Sequence, residues 1–187
     1  MSNKLLYLFG EPGTGKITVA RILQERLGWR LFWLHDLDGV CAIVGRYPLP
    51  RLMDKISLTV LEELMDGGEN IIYARPSRDR ETVERVQELS ADRGYHCLPV
   101  RLCANYDTMV SRVSSRKPSP FRISSKGEFD QYSNDRPSTS LTVSAYTIYT
   151  GSVTADRVAD EIQHKINARE SSNGKRSDRA VTAASCG

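Results

Sequence analysis

The chain has 187 residues, a length typical of one domain, and a formal net charge of +3. Hydrophobic residues make up 40%, so a substantial core is expected, but no apolar run is long enough for a membrane span or a signal peptide. Residues 169–187 carry four Lys or Arg and two Asp or Glu, which leaves about +1 on the remainder, from 3 − 2. Such a balance argues against long nucleic acids as partners, and we expect a cytoplasmic protein.

Strand-like and helix-like segments alternate along the chain. The apolar run 5–9 is closed by a glycine, as in a buried strand, and the next apolar residues recur with the period of an amphipathic helix that ends at Gly28. In chain order the predicted elements are strand 5–9, helix 18–27, strand 30–34, helix 52–65, strand 70–74, helix 79–93, strand 97–102, helix 107–115, a strand within 141–150 and helix 154–167.

Strands that alternate with helical crossovers predict a parallel sheet with helices on both faces. Residues 117–136 are rich in Pro, Ser and Gly, which favours a mobile excursion rather than a regular element. Residues 169–187 have almost no apolar content and are predicted to be disordered. We therefore expect one domain over 1–168, with a lid at about 115–137, and a C-terminal tail.

The four cysteines are widely separated in the sequence. No pair has the C-x-x-C spacing, and no histidine has the spacing of a zinc site. Small buried or incidental thiols are therefore expected at Cys41, Cys97, Cys103 and Cys186.

A glycine-rich segment, residues 10–16, joins the first strand to the first helix. Its sequence GEPGTGK matches the G-x-x-x-x-G-K spacing of a P-loop. Glycines let successive backbone N–H groups face a phosphate, and the following helix directs its positive end at the same anion. Lys16 would then reach the outer phosphates. An ordinary glycine-rich turn is the alternative, but the strand before the loop and the amphipathic helix after it favour the P-loop.

One position departs from the P-loop rule. The residue after the lysine is normally Ser or Thr, whose hydroxyl binds magnesium, but here it is Ile17. Thr18 points about 100° further round the helix and does not simply replace that hydroxyl. Magnesium binding must then depend on other oxygens, or it is weak.

With this loop, the chain resembles the shikimate-kinase-like branch of the P-loop kinases over residues 4–167. The D-x-D of that family is matched by Asp36-Leu37-Asp38 after the second strand, and its R-x-x-E by the looser Arg51-Leu52-Met53-Asp54. The arginines of the pre-lid helix and lid are matched by Arg112, Arg116 and Arg122, and a Tyr and Arg after the lid by Tyr132 and Arg136. The resemblance implies a three-layer α/β/α P-loop NTPase fold with about five parallel strands and a lid.

The resemblance also implies ATP and Mg²⁺ as cofactors, transfer of the γ-phosphate to a hydroxyl of a small molecule, and a monomer or homodimer. The expected nucleotide-binding residues are Gly10, Gly13, Thr14, Gly15, Lys16, Ile17, Thr18 and Arg112. The expected catalytic residues are Lys16, Asp38, Arg116 and Arg122. The expected acceptor-binding residues are Asp38, Arg51, Arg75 and Arg136. The expected metal-binding residues are Asp36, through water, and Thr18.

Some residues depart from the family pattern. The family's Gly-Gly-Gly after the third strand is replaced by Ala74-Arg75-Pro76, so shikimate itself is not expected as the acceptor. Each assignment has a purely structural alternative. In these alternatives the two aspartates only cap a turn, the arginines of 75–80 begin a solvated helix, and the lid arginines are surface charge. A nucleotide-binding module without transfer activity, and a kinase of mononucleotides, also stay open.

Overall fold

The computed structural model describes residues 3–37, 50–76, 80–118, 122–135 and 145–168. Five parallel strands form one sheet: β1 (Lys4–Gly10), β2 (Arg30–Trp33), β3 (Ile71–Pro76), β4 (His96–Cys103) and β5 (Tyr146–Tyr149). Their spatial order is β2-β3-β1-β4-β5, so the strand that leads into the glycine-rich loop lies at the centre.

Six α-helices surround this sheet within the described residues. They are α1 (Lys16–Leu27), α2 (Pro50–Asp66), α3 (Arg80–Asp92), α4 (Tyr106–Ser114), α5 (Lys126–Asp135) and α6 (155–168). A 3-10 helix, Leu34–Leu37, follows β2. The predicted α/β/α architecture with a five-stranded parallel sheet is therefore confirmed. Over the described ranges, no helix combines the length and the apolar character that a membrane span requires.

The central strands are apolar on both faces because helices cover both. In β1, Leu6 and Leu8 point into a core shared with α1 and α6. Leu5, Tyr7 and Phe9 point into a second core shared with α2 and α3. All five are fully buried, and continuous apolar runs of this kind are typical of parallel strands buried on both faces.

Parallel pairing brings the carboxyl ends of the strands to one edge of the sheet. The end of β1 is in register with the end of β3, since Phe9 pairs with Arg75 and Gly10 with Pro76. On the other side, Cys103 at the end of β4 pairs with Tyr149 at the end of β5. The glycine-rich loop and the residues after each strand therefore share one edge, where ligands of open parallel sheets bind.

The expectation of an irregular excursion over residues 117–136 is wrong in part, because this stretch contains α5. Ser125 and Glu128 form a capping box at its start: the Glu128 N–H donates to Ser125 Oγ at 3.2 Å, and the Ser125 N–H donates to Glu128 Oε2 at 3.1 Å. Phe129 is fully buried against Met109 and Val113 of α4. A reciprocal cap and one buried aromatic side chain thus stabilise a helix in a segment of low apolar content.

Candidate active site at the carboxyl edge of the sheet

The loop between β1 and α1 has the backbone that its glycines predict. Gly10, Gly13 and Gly15 all have positive φ, at 138°, 84° and 86°. A Cβ at Gly10 would lie 2.2 Å from the carbonyl oxygen of Leu102, and one at Gly13 would lie 2.6 Å from that of Met109. Any larger residue at Gly10 or Gly13 would therefore meet both backbone strain and a steric clash.

The N-terminus of α1 faces this loop. The helix begins at Lys16, its N-cap residue is Gly15, and no acidic residue lies in its first turn. Glycine has no side chain to accept from the first N–H groups of a helix, so these donors remain for water or a ligand. Together with the helix dipole, they form the kind of site that binds phosphate in other proteins.

The Lys16 ammonium lies inside the loop. Its Nζ donates to the carbonyl oxygen of Glu11 at 2.6 Å and to Thr14 Oγ1 at 3.0 Å. Burial and, to a smaller extent, the charge of Arg116 lower the pKa of Lys16 to about 7, while the Glu11 carboxylate acts in the opposite direction. A phosphate group would reverse this shift by stabilising the ammonium form.

Two arginines of the predicted lid, Arg116 and Arg122, lie near each other, and Arg116 is also close enough to Lys16 for its charge to act on the ammonium group. Partial desolvation lowers the pKa of Arg116, and the charge of Arg122 lowers it further. Arg116 donates to the carbonyl oxygen of Ile123 at 3.2 Å, and the Arg122 guanidinium lies 4.5 Å from the centre of the Trp33 ring. Of the predicted catalytic cations, the structure therefore brings Arg116 near Lys16, where an anion would relieve their repulsion, and places Arg122 near Arg116 and the Trp33 ring.

Arg112 also lies at the loop. Its Nη1 donates to the carbonyl oxygen of Gly13 at 3.3 Å and to Thr150 Oγ1 at 3.2 Å, and its Nη2 donates to the Thr150 carbonyl oxygen at 2.8 Å. Thr150, directly after β5, is 4% exposed, and its hydroxyl lies 3.0 Å from the carbonyl oxygen of Thr14. Sequence reasoning did not select Thr150, although its place at a strand end was a usable signal.

The described residues do not fit a complete magnesium site. Ile17 packs against the core that α1 shares with the sheet, and Thr18 is exposed. Asp36 is also exposed, and its Oδ2 accepts a hydrogen bond from the Trp33 N–H at 2.9 Å. No group of three or more His, Cys, Asp or Glu side chains suitable for a metal occurs in the part of the chain that the structure describes. The prediction that Asp36 and Thr18 bind magnesium stays a prediction.

Arg75 is not part of a solvated helix start, because it belongs to β3 and is 6% exposed. Its Nη2 forms an ion pair with Asp54 Oδ1 at 2.5 Å, and its Nη1 lies 3.4 Å from Ser57 Oγ and 3.3 Å from Tyr73 Oη. Its Nε is buried and has no hydrogen-bond partner among the described residues. The terminal nitrogens that an anionic acceptor would need are thus engaged with α2 and β3.

Three other predicted site residues lie outside these observations. Asp38 and Arg136 are not among the described residues, and Arg51 is described only as backbone in α2. Their assignment to the acceptor stays a prediction. So do the bounds of the lid and the nature of the tail, since residues 119–121, 136–144 and 169–187 are likewise outside the described ranges.

A glycine-rich loop that follows the central strand of a parallel sheet, opens a helix and encloses a lysine defines the P-loop class of nucleotide-binding folds. No protein-family model matches the chain. In sequence, the chain is 48% identical over 33 residues to a protein of Methanosarcina mazei named "Putative adenylate kinase". That match covers 18% of this chain and 17% of the other protein, so it spans a small part of both.

Solved structures of kinases share the fold over most of their length. A sugar kinase from Janibacter is 16% identical with a TM-score of 0.65, and the match covers 88% of this chain and 95% of that one. The APS kinase of Mycobacterium tuberculosis, solved with AMPPNP and APS, is 15% identical with a TM-score of 0.64 and coverage of 89% and 98%. The shikimate kinase of Acinetobacter baumannii, solved with shikimate, is 21% identical with a TM-score of 0.60 and coverage of 89% and 94%. The expected resemblance to P-loop kinases is confirmed for the fold.

Proposed function

We propose that this protein is a kinase that transfers the γ-phosphate of ATP to a hydroxyl group of a small molecule. The observation that carries the proposal is the Lys16 ammonium held inside a loop with P-loop backbone, with the Arg116 guanidinium close enough to act on it. Phosphoryl transfer depends mainly on positioning and on neutralising charge. A lysine and an arginine beside donor N–H groups match that requirement.

The proposed roles of Lys16 and Arg116 follow from this placement. Those of Arg122 and Asp38 follow from the resemblance to shikimate-kinase-like proteins. Lys16 and the loop amides hold the β- and γ-phosphates, while Arg116 and Arg122 stabilise the charge that develops on the transferred group. The acceptor oxygen forms a bond to the γ-phosphorus, the bond to the oxygen bridging to the β-phosphate breaks, and ADP leaves. Asp38 takes the proton of the acceptor hydroxyl. Mg²⁺ is the proposed cofactor that accompanies ATP.

A turnover assay tests the proposal. ATP consumption is measured against a panel of sugars, cyclitols, hydroxy acids and mononucleotides, and product is identified by phosphorus NMR. Lys16→Ala should abolish turnover of any active acceptor. The control is Arg30→Ala, which removes a cation that is paired with Glu69 at the opposite edge of the sheet and should leave turnover unchanged. Equal turnover by wild type and Lys16→Ala would contradict the proposal.

The second candidate function is a nucleotide-binding module without transfer activity. The packing of Ile17 into the core and the exposure of Thr18 favour it, because neither residue offers the usual hydroxyl ligand to magnesium. The ADP affinity of Ile17→Thr and Ile17→Val, two variants of equal size, is compared with and without magnesium. Under both functions the threonine variant should gain magnesium dependence and the valine variant should not. If the wild type binds ADP equally well with and without magnesium and turns over no acceptor on the panel, the binding module is favoured.

A further inference from the structure

Thr150 joins the end of β5 to the glycine-rich loop through its buried side chain. Its hydroxyl lies 3.0 Å from the carbonyl oxygen of Thr14 and 3.2 Å from that of Cys103. Its own N–H donates to the Cys103 carbonyl oxygen at 2.7 Å. Thr150 is therefore fixed to the end of β4 and, through one hydroxyl group, to the loop.

Arg112 connects the same two segments from the side of α4. One guanidinium nitrogen reaches both the Gly13 carbonyl oxygen and Thr150 Oγ1, and the other reaches the Thr150 carbonyl oxygen at 2.8 Å. Three acceptors from the loop and the end of β5 thus share one rigid planar group. A guanidinium fixes such an arrangement better than an ammonium, because its donors have a fixed geometry.

The hydrogen-bond network continues from Thr150 to Lys16. Thr14, whose carbonyl oxygen faces the Thr150 hydroxyl, is 1% exposed. Its own Oγ1 donates to the Glu11 carbonyl oxygen at 2.8 Å and accepts from Lys16 Nζ at 3.0 Å. Thr150 is therefore connected through Thr14 to the Lys16 ammonium, although no direct contact between Thr150 and Lys16 is described.

We propose that Thr150 and Arg112 form a clamp that sets the shape of the phosphate loop, and that both are positioning residues for nucleotide binding. The proposal rests on the proposed function only in requiring that the loop binds phosphate. Buried polar groups that lose a partner are costly, so loss of the clamp leaves the Thr14 and Gly13 carbonyl oxygens to find new partners. The loop would then have to be reordered each time a ligand binds.

The test compares conservative variants by calorimetric titration with ADP and with inorganic pyrophosphate. Thr150→Val keeps the shape of the side chain and removes the hydroxyl, and it should weaken binding of both ligands about tenfold. Thr150→Ser restores the hydroxyl and should bind within about twofold of wild type. Ser90→Ala is the matched control, because it removes a buried hydroxyl that donates to the Val86 carbonyl oxygen in α3, away from the loop, and should leave both affinities unchanged.

Pyrophosphate separates loop shape from contact with the nucleoside. Weaker binding of ADP with unchanged binding of pyrophosphate would place Thr150 at the nucleoside and overturn the clamp. Unchanged binding of both ligands by Thr150→Val, or an equal loss in Ser90→Ala, would also overturn it. If the wild type binds pyrophosphate but no nucleotide, the proposed function fails, but the clamp is still tested by the pyrophosphate affinities of the variants. If wild type binds neither, both fail.

Arg112→Lys provides a second variant in case Thr150→Val does not fold. It should weaken pyrophosphate binding about tenfold, since one ammonium cannot reach all three acceptors.

A double-mutant cycle tests whether the two residues act together. In the Thr150→Val background, Arg112→Lys should weaken pyrophosphate binding little further, because the two residues act on one structure. Additive losses would mean that the two residues act separately and would overturn the clamp.

Discussion

Phosphate binding at the loop should be coupled to proton uptake by Lys16. The pKa of this group is lowered to about 7 by burial and by Arg116, so at pH 8.5 only about 3% of the free protein carries the ammonium form. A bound phosphate favours that form, and binding of ADP at pH 8.5 should therefore take up about one proton. The affinity should fall about tenfold for each pH unit above 7.

Calorimetry can count that proton directly. ADP is titrated into the protein at pH 8.5 in two buffers of different ionisation enthalpy. At this pH the terminal phosphate of ADP, with a pKa of about 6, is already ionised and takes up no proton itself. The observed binding enthalpies should differ by about the difference between the two buffer enthalpies. Lys16→Arg keeps its charge at this pH and should show no such difference. Equal enthalpies for wild type in both buffers, with an affinity that is flat from pH 7 to 9, would refute the reasoning.

The same group also predicts how the stability of the ligand-free protein changes with pH. The folded-state pKa, about 7, lies below the ordinary value of 10.5, so the unfolded chain binds the proton more tightly. Between these two values the contribution of Lys16 to the free energy of unfolding should rise with pH. Thermal unfolding of wild type and Lys16→Met across this range isolates the contribution, and a constant difference between them would contradict it.

Three further predictions concern stability, each measured by urea unfolding. Asp54→Ala should lower the free energy of unfolding by about 3 kcal/mol, because it leaves the buried Arg75 guanidinium unpaired. The double variant that also carries Arg75→Met should lose less stability, and a larger loss would contradict the ion-pair explanation. Gly10→Ala should lower the free energy of unfolding by at least about 3 kcal/mol, and Gly94→Ala by about 1 kcal/mol. Both glycines have positive φ, but only at Gly10 would the new Cβ lie 2.2 Å from a backbone oxygen. Ser125→Ala should cost about 1 kcal/mol and speed hydrogen exchange in α5, and unchanged exchange would argue against the capping box.

The layers of the fold could be predicted because the signals for them are local. Each strand is a short apolar run that ends near a glycine, a proline or a polar residue, and the helices show the spacing of an apolar face. Their order alone implies a parallel sheet. The glycine-rich loop is equally local, so its position after β1 followed from residues 5–16 alone.

The helix α5 was missed although part of its signal was present. Ser125 and Glu128 have the spacing of a capping box, but the prolines before them and the scarcity of apolar residues favoured an irregular segment. What stabilises the helix is Phe129 against α4, a contact between segments whose proximity no local pattern reveals.

The surroundings of Arg75 and Thr150 depend on tertiary contacts. Arg75 is buried because Asp54, twenty-one residues earlier, supplies the opposite charge, and Thr150 reaches a loop 136 residues away in sequence. Sequence spacing carries no information on such pairs when a single chain is considered. The rule that ligands bind at strand ends pointed to the right edge of the sheet, but not to the partners of each side chain.

The contact between Arg122 and Trp33 provides a built-in optical reporter. The chain has two tryptophans, and one of them has a guanidinium 4.5 Å from its ring centre. Under the proposed function, in which Arg122 turns toward the phosphates of a bound ligand, the indole emission should change on binding. Stopped-flow fluorescence of the unlabelled protein could then time that movement, with Trp29→Phe removing the second fluorophore.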